Sequence, residues 1–88
     1  MEKVFHAPKD VLIHKEPFHG SFRYYGVKPN GQVVAYTLRS LGIECWVDQE
    51  FSVPLSLEPF TFGGAKVTLT IATLDALSKL VQQVRSGS

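Results

Sequence analysis

Residues 28–49 read KPNGQVVAYTLRSLGIECWVDQ, and the fold turns on whether the first half of that stretch coils or extends. In one reading Asn30 caps a helix whose positions Val33, Val34, Thr37, Leu38 and Leu41 share a face. Gly42 then ends the helix in the left-handed conformation and IECWV returns as a strand. In the other reading KPNG is a hairpin turn joining two strands, FRYYGV and QVVAYTL, because proline ahead of Asn-Gly is good turn chemistry. A glycine stop followed by an apolar strand fits only the first, so the sequence favours the helix.

Downstream, AKVTLTI sets Val67, Leu69 and Ile71 on one side and Lys66, Thr68 and Thr70 on the other, the period of a half-buried strand. PFTFGG before it supplies Phe60 and Phe62 and a Gly63-Gly64 turn, which predicts a hairpin. In TLDALSKLVQQVRS the residues Leu74, Leu77, Leu80, Val81 and Val84 recur every three or four positions, which predicts an amphipathic helix. Thr73 is its expected N-cap, with Asp75 in the first turn and Arg85 near the far end.

Upstream, DVLIHKE and SFRYYGV read as strands around a Pro17–Gly20 turn. FSVPLSLEP alternates, but Pro54 and Pro59 demote it to an edge strand or an ordered loop. The expected fold class is therefore α+β: two layers, a mostly antiparallel sheet with two helices packed on one face. Eighty-eight residues allow one core, so 1–88 reads as a single domain with 85–88 as a frayed tail.

Composition narrows function more than it names it. With 44% hydrophobic and 19% charged residues the chain has the material to fold. The net charge of +1 draws it to neither nucleic acid nor an anionic membrane. Locally, Arg23, Lys28 and Arg39 fall in a segment without acids, and Glu44, Asp48, Glu50 and Glu58 in one without bases. Such a dipolar surface favours pairing of copies. The single cysteine, Cys45, rules out an internal disulfide and favours a reducing compartment. MEKVFHAPKD lacks the apolar run of a signal peptide, and no stretch has the apolar length of a membrane span. The expected location is the cytoplasm.

SFRYYGVKPNG, residues 21–31, carries aromatics beside bases and invites a nucleic-acid reading through Arg23, Tyr25 and Lys28. Alternation, however, sends Phe22 and Tyr24 to one face and Arg23 and Tyr25 to the other, which splits stacking from charge. The structural reading puts Phe22 and Tyr24 in the core and leaves Tyr25 half-exposed. His14, Glu16 and His19 cluster without the spacing of a metal site, so no metal or cofactor is expected. Cys45 lies among acids, the wrong setting for a nucleophile, so no catalytic residue is expected.

The chain reads best as a small domain that binds a protein partner and itself, as a dimer, through aromatic and apolar surface that its own interior cannot cover. Val4, Phe5, Phe18, Phe51, Val53, Leu55 and Phe60 lie in weakly periodic segments and supply that excess. Tyr25, Arg39, Trp46 and Phe51 are the interface candidates, since Trp, Tyr and Arg dominate interface energetics. A third possibility is a small-molecule or enzymatic pocket lined by Tyr24, Tyr36, Trp46 and a histidine.

Overall fold

The computed structural model describes residues 3–87. Seven strands precede one helix: β1 (Val4–His6), β2 (Leu12–Phe18), β3 (Ser21–Val27), β4 (Val33–Leu41), β5 (Glu44–Ser52), β6 (Phe60–Phe62), β7 (Ala65–Val67) and α1 (Ile71–Ser86). The first five form a sheet in the order β1-β5-β4-β3-β2, antiparallel except where β1 runs parallel to β5. The fold is α+β as expected, but it has one helix and not two.

The missing helix is β4. Gly31 N–H bonds Lys28 C=O at 2.8 Å and Lys28 N–H bonds Gln32 C=O at 2.9 Å, which closes the Lys28–Gln32 loop. Pro29 presets the first turn position, and Gly31, at φ +87°, takes the left-handed place that completes a bulged three-residue hairpin loop. Asn30, expected as a helix cap, instead accepts the Gln32 N–H on its side chain at 2.9 Å, an Asx turn. Gly42, at φ +62°, opens the two-residue turn between Leu41 and Glu44 and does not stop a helix. Val33, Val34, Tyr36 and Thr37 are β-branched or aromatic, types whose χ1 freedom a helix restricts and a pleated surface accepts.

The helix begins three residues earlier than the sequence suggests. Thr70 is the N-cap, its hydroxyl accepting the Thr73 N–H at 3.1 Å. Asp75 thus leaves the first turn and pairs with Lys79 at 3.2 Å. Ile71, expected on the strand's apolar face, is 75% exposed, while β7 ends at Val67. The expected frayed tail is helical through Ser86; Met1, Glu2 and Ser88 lie outside the described residues.

Two apolar layers flank the sheet. On one face Tyr25, Val27, Val33 and Ala35 pack beneath Leu77 and Val81 of α1, with Val53, Phe60 and Leu69 closing the margin. Leu74, Leu80 and Val84 lean on the same cluster, so the helical stripe does cover the sheet. On the other face the sheet curls. Phe5 of β1 stacks on Tyr24 of β3 with ring centroids 4.3 Å apart, although β5 and β4 lie between those strands in the order. Three strand spacings of a flat sheet would separate them by about 14 Å. Val34, Tyr36 and Cys45 are buried inside this concavity.

Candidate interaction surface

Helix α1 covers β2 and β3. Beyond it the same face of the sheet continues onto the far halves of β4 and β5 and onto β1. Arg39 is the cross-strand partner of Trp46, and His6 of β1 is the next partner along, its ring stacked on Trp46 at 5.3 Å. Leu41 and Glu44 pair one step further, with Val4 beside Glu44, and the His6 Nε2 lies 3.1 Å from Glu44 Oε1. Leu41 is 73% exposed, and Val4 and Ile43 are exposed beside it. Arg39, Ser40, Leu41 and Trp46 line a shallow depression there. Two of the four interface candidates, Arg39 and Trp46, are thus neighbours on an uncovered sheet face.

The other two are not. Tyr25 is 1% exposed beneath the helix, its hydroxyl donating to Glu16 Oε1 at 3.2 Å. Phe51 sits opposite Ala35 and against Phe62, 5.5 Å between centroids, so the β6–β7 hairpin shields it. The assignment of faces in β3 is also inverted: Tyr25 is core, while Phe22 is 50% exposed. Alternation has the expected period but the opposite phase beneath the helix, while Tyr24 is half-buried against Phe5 on the concave side. Nothing in FRYYGV distinguishes the two phases, because both carry an aromatic ring. Of the leftover apolar residues, Val53 and Phe60 are buried, and Val4, Phe18 and Leu55 remain exposed.

Arg23, Tyr25 and Lys28 do not share one open surface. Tyr25 is buried and Lys28 is paired with Glu50 at 2.5 Å. That pair also joins the basic segment to the acidic one within a single molecule. The pocket envisaged for Tyr24, Tyr36 and Trp46 does not assemble, since the tyrosines line the concave side and Trp46 stands on the opposite face. His14 and Glu16 approach to 3.9 Å, whereas His19 turns away onto the edge of Phe18. Among the described residues no three His, Cys, Asp or Glu side chains converge. Cys45 is buried, its sulfur 3.3 Å from the Ser40 hydroxyl.

Glu16 instead ties the sheet to the helix start. One carboxylate oxygen accepts the Tyr25 hydroxyl and the other accepts the Thr73 hydroxyl, which also contacts Thr70 at 2.9 Å. Burial pushes the Tyr25 phenol above its ordinary value; Arg23 opposes that shift and Glu16 adds to it.

Tyr36 contrasts with it. Its hydroxyl is buried with no hydrogen-bond partner among the described residues, and burial raises its phenol as well, with Glu50 adding to the effect. Tyr36→Phe is expected to stabilise the fold by about 1 kcal/mol, since it removes an unsatisfied buried group and keeps the ring. A raised phenol is also a pH statement. Above pH 10 the unfolded tyrosine loses its proton before the folded one, so the unfolded state binds fewer protons and stability falls as pH rises. Tyr36→Phe should therefore flatten the alkaline loss of thermal midpoint that sets in as pH rises past about 10. Melting curves across that onset decide it, and a variant that melts lower and loses stability as steeply as the parent contradicts the assignment.

Comparison with known proteins returns no match to any protein family, curated protein or solved structure. Among the described residues no helix is long and apolar enough to cross a membrane.

Proposed function

We propose that this chain is a protein-binding domain that self-associates through the uncovered sheet face around Trp46 and Arg39. The observation that carries the reading is the lateral array His6–Trp46–Arg39, flanked by exposed Leu41, Val4 and Ile43, on the part of the sheet that α1 does not reach. A Trp and an Arg side by side within an apolar margin have the composition of an interface centre. Burying those groups against a second copy would remove apolar surface from water on both sides, the dominant favourable term in association. The lone thiol, buried and unable to form an internal disulfide, fits a reducing compartment such as the cytoplasm.

Sedimentation equilibrium tests this directly. The parent chain is expected to show a monomer–dimer equilibrium at micromolar concentration, and Trp46→Ala to weaken it by roughly thirtyfold, the effect of a 2 kcal/mol hot spot. Unchanged circular dichroism would show that the half-buried ring was replaced without unfolding. A parent that stays monomeric to about 1 mM, or dimerisation indifferent to Trp46→Ala, overturns the reading.

A further inference from the structure

The β3–β4 ladder ends at Tyr24·Tyr36, yet β2–β3 runs on to Phe18·Ser21 and β4–β5 to Leu41·Glu44. The two hairpins therefore splay apart, and a cavity of about 640 Å³ opens between them. The register of β4 against β5 slips at Thr37/Leu38, where β5 holds one extra residue, Asp48. The bulge lies at the level where β4 leaves β3, one residue beyond the last β3–β4 pair at Tyr36. Two strand edges, 21–23 and 37–40, face this split with no ladder partner among the described residues. Such edges present donors and acceptors at the spacing that an extended chain matches.

Among the described residues the lining has a single sign: Lys3, Lys15 and Arg23 border the cavity, and no described Asp or Glu does. None of the three is in an ion pair with another described residue. Glu16, opposite Arg23 in the β2–β3 register, is held by the Tyr25 and Thr73 hydroxyls. A cation or a ring already occupies one face of three aromatics beside the cavity. Lys15 Nζ lies 3.9 Å over Phe22, the Arg23 guanidinium lies 3.7 Å over Phe18, and Tyr24 stacks on Phe5. Base stacking needs open aromatic faces, whereas backbone pairing needs open strand edges, so the split suits a polypeptide better than a nucleic acid.

We infer that the split between β3 and β4 is a docking slot for an extended acidic segment of a partner protein. The segment adds a strand along residues 37–40 and sets carboxylates toward Lys15 on one face of the sheet and toward Arg23 on the other. This slot adjoins the Trp46 face and shares Ser40 with it, but residues 21–23 border the slot alone, so its occupancy is read apart from self-association.

The test uses fluorescein-labelled peptides of about ten residues, long enough for one strand, with adjacent Glu-Glu pairs between apolar residues so that carboxylates reach both faces of the sheet. They are titrated against the full chain in its Trp46→Ala form, so that failure of dimerisation and failure of peptide binding read out separately. Saturable anisotropy is expected, with the largest amide NMR shifts in residues 21–23 and 37–40. Methylating alternate peptide nitrogens keeps the side chains and removes backbone donors, and should weaken binding at least tenfold. Lys15→Glu with Arg23→Glu should do the same. Should that variant fail to fold, peptides carrying Lys in place of Glu give the equivalent reading on the unreversed chain. Absence of binding by every acidic peptide, indifference to N-methylation, shifts confined to the Trp46 face, or tighter binding of oligothymidylate at the same residues would each overturn the proposal.

Discussion

Leu77→Ala is expected to destabilise the domain by about 3 kcal/mol, within the 2–5 kcal/mol range for truncating a buried leucine. Leu77 is 0% exposed and is the point at which α1 enters the cluster of Tyr25, Val27, Val33 and Ala35. One helix covers this face, so no second element can move in to fill the gap. A domain of this size has a stability of about 5–10 kcal/mol, and the loss is therefore a large share of it. Urea denaturation followed by helical circular dichroism should show the midpoint falling by about 2–3 M, since the slope for so small a protein is close to 1 kcal/mol/M. Ile71→Ala on the exposed side of the same helix should move it by less than about 0.5 M. Equal shifts for the two variants would contradict the docking of α1 described above.

The second large effect is at Gly26, and its sign is not obvious. Glycine inside a strand is ordinarily a liability, and replacement by alanine gains about 0.5–1 kcal/mol. Gly26 does not have a positive φ, so conformation alone would permit the change. Space does not. A Cβ there would lie 2.6 Å from the Tyr36 hydroxyl oxygen, 2.7 Å from its ring and 2.7 Å from a Val11 methyl. The ring is buried in the concavity and the Val11 methyl lies against the same spot, so there is little room for either to move. Gly26→Ala is expected to destabilise by about 2 kcal/mol, as overpacking does. Combined with Tyr36→Leu, which withdraws the ring, the loss should be at least about 1 kcal/mol less than the sum of the single changes. Additive losses would mean that Gly26 is not there to make room for Tyr36.

The contrast between Gly26 and Gly42 shows where a reading of sequence stops. A left-handed glycine after an apolar run ends a helix and equally opens a two-residue hairpin, and both need the same positive φ. Gly42 therefore could not choose between helix and strand for residues 33–41. The choice fell to pairing: extended, β4 buries Val33 and Ala35 under α1 and Val34 and Tyr36 inside the curl, so both faces of the segment are used. A helix with a single apolar stripe would have left one of those sets wet. The rings of β3 show the same limit, because alternation has a period but no label for inside. Trp46 and Arg39 could be selected by type alone, whereas their adjacency follows from a register that includes the slip at Thr37/Leu38.

By itself the sequence determined what is local or compositional. The C-terminal amphipathic helix, the Gly63-Gly64 hairpin, the β2–β3 pair, the loop after β5 and the α+β class each rest on periodicity or turn chemistry within a few residues. Tertiary structure alone decided the strand identity of residues 33–41, the burial of Tyr25 in place of Phe22, the curl that brings Phe5 onto Tyr24, and the split between β3 and β4. Those depend on contacts between residues far apart in the chain, whose energy enters only once the sheet has closed on itself.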